Sequence, residues 1–86
     1  MKVIVPSPLY SYTDEKRRID ASGATLAELL SDMDARYPGI RFRIIDEQGN
    51  IRRHIKIFIN RNQVRALDVK LYASDEIILV AALSGG

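Results

Sequence analysis

Every residue is apolar in IILVAA, the stretch that occupies positions 77–82. A strand with one solvated face alternates apolar and polar residues, whereas a strand covered on both faces stays apolar throughout. We therefore predict a central strand at these positions. A polar turn at residues 73–76 precedes it, and residues 83–86 follow it with no linker.

The clearest helix signal in the chain begins at Thr25. Thr25 and Glu28 have the spacing of a capping box. In this motif the threonine hydroxyl accepts a hydrogen bond from the N–H of Glu28, and the glutamate carboxylate accepts one from the N–H of Thr25. Apolar residues then recur on one side at helical spacing, and Pro38 and Gly39 end the pattern. The apolar residues are Leu26, Leu29, Leu30, Met33 and Tyr37.

Shorter β patterns surround this helix. Before it, residues 2–5 form a strand that ends at Pro6, and residues 16–21 return as an edge strand after a loose polar loop. After it, residues 40–45 alternate loosely, residues 46–50 form a turn, and residues 53–59 form the strongest strand, with isoleucines on one face. A tight turn at residues 60–62 leads to a short strand at 63–65 and an irregular crossover at 67–72.

These elements predict the fold class α+β, a β-grasp (ubiquitin-like) mixed sheet of four to five strands packed on one main helix. The first strand becomes parallel to a later strand through a right-handed crossover that contains the helix. We expect a β-grasp domain over residues 1–82 and a flexible Gly-Gly tail over residues 83–86. The predicted core consists of Val3, Val5, Ile19, Leu26, Leu29, Leu30, Met33, Ile55, Ile57, Ile59, Leu71, Ile77 and Leu79.

The composition excludes several kinds of function. The chain has no cysteine, which excludes a disulfide, a thiolate metal site and a thiol nucleophile. Its single histidine, His54, makes a multi-histidine metal site and a self-contained catalytic triad improbable, so we interpret it as a surface residue and expect no enzyme activity. We find no apolar run of about 18 residues and no secretory signal, and we therefore expect a cytoplasmic protein with no membrane partner.

The charge pattern gives no clear nucleic-acid signature. Thirteen basic and eleven acidic residues leave a net charge of +2. A nucleic-acid face needs basic residues on one side, with aromatic side chains for stacking. The arginines are scattered among acids, so we expect a solvated surface and no nucleic-acid partner. They include Arg17, Arg18, Arg41, Arg43, Arg52, Arg53, Arg61 and Arg65.

Two glycines, Gly85 and Gly86, close the sequence. Glycine has no Cβ and allows close backbone approach. Such a tail could thread a narrow channel and deliver its terminal carboxylate to a reagent that a bulkier chain end could not reach. The alternative is a frayed terminus, because small residues collect at chain ends.

In this order and at this length, the chain resembles the ubiquitin-like sulfur-carrier family. That family includes the small subunit of molybdopterin synthase, the thiamine sulfur carrier and the carriers of certain cysteine and siderophore pathways, so the resemblance implies sulfur donation in cofactor, amino-acid or secondary-metabolite biosynthesis. Four segments carry the resemblance: ATLAELL at 24–30, IFIN at 57–60, DEI at 75–77 and the Gly-Gly tail. The resemblance covers nearly the whole chain. Prolines common in molybdopterin-type tails are replaced by Ala81 and Ala82, which weakens assignment to that branch.

The resemblance implies a carrier rather than an enzyme, with no cofactor bound. In the family, a ubiquitin-activating-like adenylyltransferase uses ATP to adenylate the terminal carboxylate, and a sulfur donor then displaces AMP to leave a thiocarboxylate. The corresponding residue is Gly86, with Gly85, Ser84 and Leu83 as the threading segment. The second implied partner is a sulfur-accepting biosynthetic enzyme, a large synthase subunit or its equivalent.

A carrier must also dock on its partners. Lys56 and Phe58 should face away from the core isoleucines, and Ile78 and Val80 should do the same on the last strand. If the two strands are neighbours, these residues form a small apolar patch with a basic border, which is typical of an interface. The alternative is that the loop after Ile40, or a neighbouring molecule in a crystal, covers these residues.

Two other functions remain open. A protein modifier would use the same adenylate to form an isopeptide bond with lysines of other proteins. A non-covalent β-grasp binding module would not use the tail, and a C-terminal extension would leave it active.

Overall fold

The sheet is built around its last strand. The structure, a computed structural model, describes residues 1–82. Within this range the strands are β1 Lys2–Ile4, β2 Arg18–Asp20, β3 Ile55–Ile59, β4 Asn62–Val64 and β5 Glu76–Ala81. Their order is β2-β1-β5-β3-β4, with β1 parallel to β5 and the other neighbouring pairs antiparallel. The predicted mixed β-grasp sheet is confirmed, and β5 is its central strand.

The main helix, α1 Leu26–Arg36, covers one face of this sheet. The Thr25 hydroxyl accepts a hydrogen bond from the Glu28 N–H at 3.3 Å, as predicted. The Glu28 carboxylate accepts from the N–H of Ala24 at 3.1 Å, one residue earlier than a capping box requires. The N–H of Leu26, the first residue of the helix, donates to the carbonyl of Val69 at 3.0 Å. The crossover at residues 67–72 therefore also holds the start of the helix.

The core contains all thirteen residues predicted from the sequence. Alternate isoleucines of β3 point inward, as the period of a strand requires. The buried set also includes five residues outside the predicted core, namely Leu9, Ala21, Ile40, Ile44 and Ile45.

The loose alternation at residues 40–45 is typical of a strand, but the segment is a short helix, α2 Ile40–Ile44. Ile40 and Ile44 lie one helical turn apart and are both fully buried. Gly39 precedes them with φ of +97°, and the Asp34 carboxylate accepts from the N–H groups of Gly39 and Arg41 at 3.1 Å each. The loose polar loop between β1 and β2 likewise contains a 3₁₀ helix, Ser7–Tyr12.

The tight turn between β3 and β4 places the start of β5. Asn60 and Arg61 have positive φ values of 49° and 75°, as a two-residue hairpin turn requires. The Asn60 amide donates to the Asp75 carboxylate at 2.7 Å, and its carbonyl oxygen accepts from the Glu76 N–H at 3.0 Å. This side chain therefore fastens the hairpin to the central strand.

Across residues 1–82, none of the helices has both the length and the apolar character that a membrane crossing demands.

Candidate functional site

The face of the sheet opposite α1 carries the predicted docking residues side by side. Strand register places Phe58 directly across from Ile78, and Lys56 across from Val80. Val80 is 39% exposed, and Phe58 and Ile78 are half-buried. The neighbouring strand adds Ile4, which the sequence analysis did not include, beside Ile78. We call Ile4, Phe58, Ile78 and Val80 the apolar patch.

Polar residues border the apolar patch on both edges of the sheet. Arg18 lies across from Ile4 on β2, and Gln63 lies across from Phe58 on β4, and both are exposed. The helix α2 packs against α1, with Ile40 and Ile44 in the core, so this segment does not cover the patch. An exposed apolar centre with a polar rim is the usual anatomy of a protein interface.

The central strand connects this patch to the tail. Ala81 pairs with Ile55, and the N–H of Ala82 donates to the carbonyl of His54 at 2.7 Å. The backbone is therefore held by sheet hydrogen bonding up to the last described residue. Val80 lies only two residues before that point, so a protein that covers the apolar patch also meets the base of the tail.

Two grooves flank the start of β3 beside this base. The larger, about 440 Å³, is lined by Tyr12, Phe42, Arg43, Arg52, His54 and Ala81, among others. The smaller, about 320 Å³, includes Arg52, Arg53, Lys56 and Arg65 in its lining. The expectation of scattered arginines is therefore wrong for this end of the molecule, because the fold brings together basic residues from separate segments.

The arginines of the larger groove are held in place by aromatic neighbours. Arg43 Nε donates to the Tyr12 hydroxyl at 2.7 Å, and its guanidinium lies 5.8 Å from the centre of that ring. Arg52 Nε donates to the carbonyl of Phe42 at 2.7 Å, and its guanidinium lies 4.7 Å from the Phe42 ring. Among the contacts of residues 1–82, these two hydrogen bonds use only the Nε of each arginine, and the terminal guanidinium nitrogens can donate to other acceptors.

The two carboxyl groups with perturbed acidity lie outside these grooves. A hydrogen bond from the Lys2 ammonium lowers the pKa of Asp20 below its ordinary value of 3.8. A hydrogen bond from the Ser22 N–H lowers the pKa of Asp32 in the same way, with a smaller contribution from Arg36. Among residues 1–82 we find no group of three or more His, Cys, Asp or Glu side chains arranged to hold a metal ion.

Comparison with known proteins places this architecture in a family. The family model described as ThiS family matches residues 3–86. The chain belongs to the ThiS family. It is 32% identical to the sulfur carrier protein CysO of Mycobacterium tuberculosis H37Rv over an alignment of 89 residues, which covers 98% of this chain and 96% of that protein.

Solved structures agree with this assignment. A chain in the crystal structure of the Amycolatopsis orientalis BexX/CysO complex superposes with a TM-score of 0.91 at 28% identity, covering 99% of this chain and 98% of that one. Small archaeal modifier protein 1 of Methanosarcina acetivorans gives a TM-score of 0.80 at 28% identity, with 99% and 94% covered. The resemblance to ubiquitin-like sulfur carriers is confirmed.

The two parts of the predicted site have different outcomes. The structure brings Lys56, Phe58, Ile78 and Val80 together on one exposed surface, and their role in docking stays a prediction. The predicted activation and threading residues lie outside the described residues. They are Gly86, Gly85, Ser84 and Leu83.

Proposed function

We propose that this chain is a sulfur carrier that acts in the cytoplasm through the carboxylate of Gly86. The observation that carries the proposal is the match to the ThiS family, which runs through Gly86 and includes nearly the whole chain. The similarity to the sulfur carrier protein CysO over the full length supports it.

The proposed chemistry has two steps. A carboxylate is a poor electrophile, so an oxygen of the Gly86 carboxylate first attacks the α-phosphorus of ATP and pyrophosphate leaves. A donor that supplies sulfur as hydrosulfide then attacks the acyl carbon, the bond from that carbon to the phosphate oxygen breaks, AMP leaves, and the sulfur loses its proton. The product is a thiocarboxylate, whose sulfur is a better nucleophile than a carboxylate oxygen.

We assign the catalytic work to partner proteins and position to this chain. The chain has no cysteine and one histidine, so it has no other obvious place to carry transferable sulfur. The partners we propose are a ubiquitin-activating-like adenylyltransferase, which uses the ATP, and a sulfur-accepting biosynthetic enzyme. A related carrier is seen in complex with BexX, which supports the idea of a docked protein partner.

The apolar patch is the surface we propose for docking. Two of its residues, Ile78 and Val80, belong to β5, the strand that leads into the tail, and sheet hydrogen bonding holds this strand as far as Ala82. A fixed distance between a docked surface and the tail base helps to bring a reactive chain end to a partner's active site.

The test is intact mass measurement after incubation with the host adenylyltransferase, ATP and a sulfur donor. We expect the full chain to exchange one oxygen for sulfur, localised to the C-terminal peptide. A variant without Gly85 and Gly86 should retain its circular dichroism spectrum and remain unmodified. Full chain that forms no adenylate and gains no sulfur would contradict the proposal.

A protein modifier is the second candidate, because the chain is also similar to small archaeal modifier protein 1. The same incubation with a lysate distinguishes the two functions. Isopeptide-linked adducts on lysines of other proteins would favour the modifier. A non-covalent binding module predicts that a chain extended beyond Gly86 keeps full function, whereas both tail-dependent functions predict its loss.

A further inference from the structure

The basic residues beside the tail base form a continuous surface. Arg43 and Arg52 come from the larger groove, Arg53 and Arg65 from the smaller one, and Lys56 joins the smaller groove to the apolar patch. We call these five residues the basic rim. Arg52 lines both grooves, so the two cavities adjoin.

Within the described part of the chain, the basic rim has no acidic partner. No Asp or Glu of residues 1–82 lines either groove. The ion pairs found in the described range, Lys2 with Asp20 and Arg36 with Asp32, lie elsewhere. For a chain whose net charge is only +2, five cations without an acid among them represent a strong local concentration of charge.

Two of these cations are already ordered for binding. The rings of Tyr12 and Phe42 and the hydrogen bonds to each Nε fix the guanidinium groups of Arg43 and Arg52. A pre-positioned guanidinium loses less conformational entropy when it binds a carboxylate than a free side chain does. Its remaining N–H groups match the two oxygens of a carboxylate.

We infer that the basic rim docks an acidic segment, rich in Asp and Glu, of the adenylyltransferase that activates Gly86. This inference rests on the proposed function and adds the chemistry of the partner's surface. Charge complementarity identifies the segment as acidic. Continuity through Lys56 with the apolar patch favours a protein over a nucleic acid, because a protein surface covers apolar and basic residues together.

The first test measures the steady-state kinetics of adenylate formation by the host adenylyltransferase, with the full chain as the varied substrate. The R43E/R52E variant should raise KM about tenfold at low salt and leave kcat unchanged, because charge complementarity governs encounter. The effect should shrink as salt is added. The matched control is R61E/K70E, which makes the same change in net charge at two exposed positions, one in the turn of the β3–β4 hairpin and one paired with Thr25 at the start of α1. It should stay within about twofold of the unmodified chain.

The outcomes separate this inference from the proposed function. If the full chain is adenylated and the two variants have equal KM values, the basic rim does not dock the partner and the carrier function stands. If the full chain is not adenylated, the proposed function fails, and a second measurement tests the rim.

That measurement is an amide NMR titration of the full chain with a polyglutamate peptide and with a thymidine oligonucleotide of equal charge. Peptide-induced shifts confined to the basic rim, at residues 43, 52, 53, 56 and 65, would support an acidic protein segment. Equal shifts at Arg61 and Lys70, or binding of the oligonucleotide alone at physiological salt, would overturn it.

Discussion

Gly23 is required by close packing rather than by an unusual backbone angle. A Cβ at this position would lie 2.4 Å from the Leu29 nitrogen and 2.8 Å from the Glu28 carbonyl carbon. Both are backbone atoms of α1 and have little freedom to move. We expect Gly23→Ala to lower the free energy of unfolding by about 2 kcal/mol, because an overpacked side chain displaces its surroundings.

Gly49→Ala provides the comparison for this prediction. Gly49 has φ of +84° and open space around its Cα, so alanine there meets only backbone strain, about 1 kcal/mol. Urea unfolding of both variants measures the two costs. A Gly23→Ala variant as stable as the unmodified chain would contradict the packing argument.

Asp32 makes the stability depend on acid pH. The Ser22 N–H lowers the Asp32 pKa below 3.8, so the folded chain binds this proton less readily than the unfolded chain does. The stabilisation is therefore complete above the ordinary pKa and is lost as pH falls through the lowered value. We expect Asp32→Asn to flatten the fall of the urea midpoint below about pH 4.

The side-chain amide introduced by Asp32→Asn keeps an oxygen that can accept from the Ser22 N–H, so the variant removes the charge and retains the shape. The matched control is Asp46→Asn, at a carboxylate that accepts from the N–H groups of Gln48 and Asn50. Identical acid unfolding curves for Asp32→Asn and the unmodified chain would exclude a contribution from Asp32.

Among the secondary-structure elements, α1 depends on one hydroxyl at its start. Thr25→Ala removes the acceptor for the Glu28 N–H, and we expect the free energy of unfolding to fall by about 1 kcal/mol. Thr25→Ser keeps the oxygen and should restore most of the loss. Chemical denaturation followed by circular dichroism measures both. Equal free energies of unfolding for Thr25→Ala and Thr25→Ser would show that the hydrogen bond from the Leu26 N–H to Val69, rather than the cap, positions the helix.

The elements that the sequence predicted well are those with a strong local period. The stripe on α1 and the alternating isoleucines of β3 each define a buried face without reference to the rest of the chain. The segment at residues 40–45 is too short for its period to distinguish helix from strand. There the capping of Gly39 and Arg41 by Asp34 and the burial of Ile40 and Ile44 select the helix.

For the molecule as a whole, the apolar patch should matter for partner recognition more than for folding. We expect a Phe58→Ser/Ile78→Ser double variant to remain folded, with a loss of about 1–2 kcal/mol, because both side chains are only half-buried. The KM of the chain in adenylate formation should rise about tenfold or more, as for removal of central interface anchors.

The control for this prediction is Tyr72→Ser. Tyr72 is an exposed aromatic residue, 65% accessible, in the turn that leads into β5, at the opposite end of that strand from Ala82. Its loss should leave KM unchanged. An equal rise in KM for Tyr72→Ser would show that surface apolarity in general, and not this patch, affects the assay.

Local pattern and composition were enough to predict the central strand, the capped helix, all thirteen expected core residues and the absence of cysteine chemistry. Each of these follows from a short-range period or from residue counts and needs no knowledge of the remaining fold. The tertiary structure was needed to show that residues 40–44 are helical and that Ile4 completes the apolar patch. It also gathers Arg43, Arg52, Arg53 and Arg65 beside the tail base. Strand order explains how Ile4 joins the patch, because β5 lies between β1 and β3 and so brings together segments that are far apart in the chain.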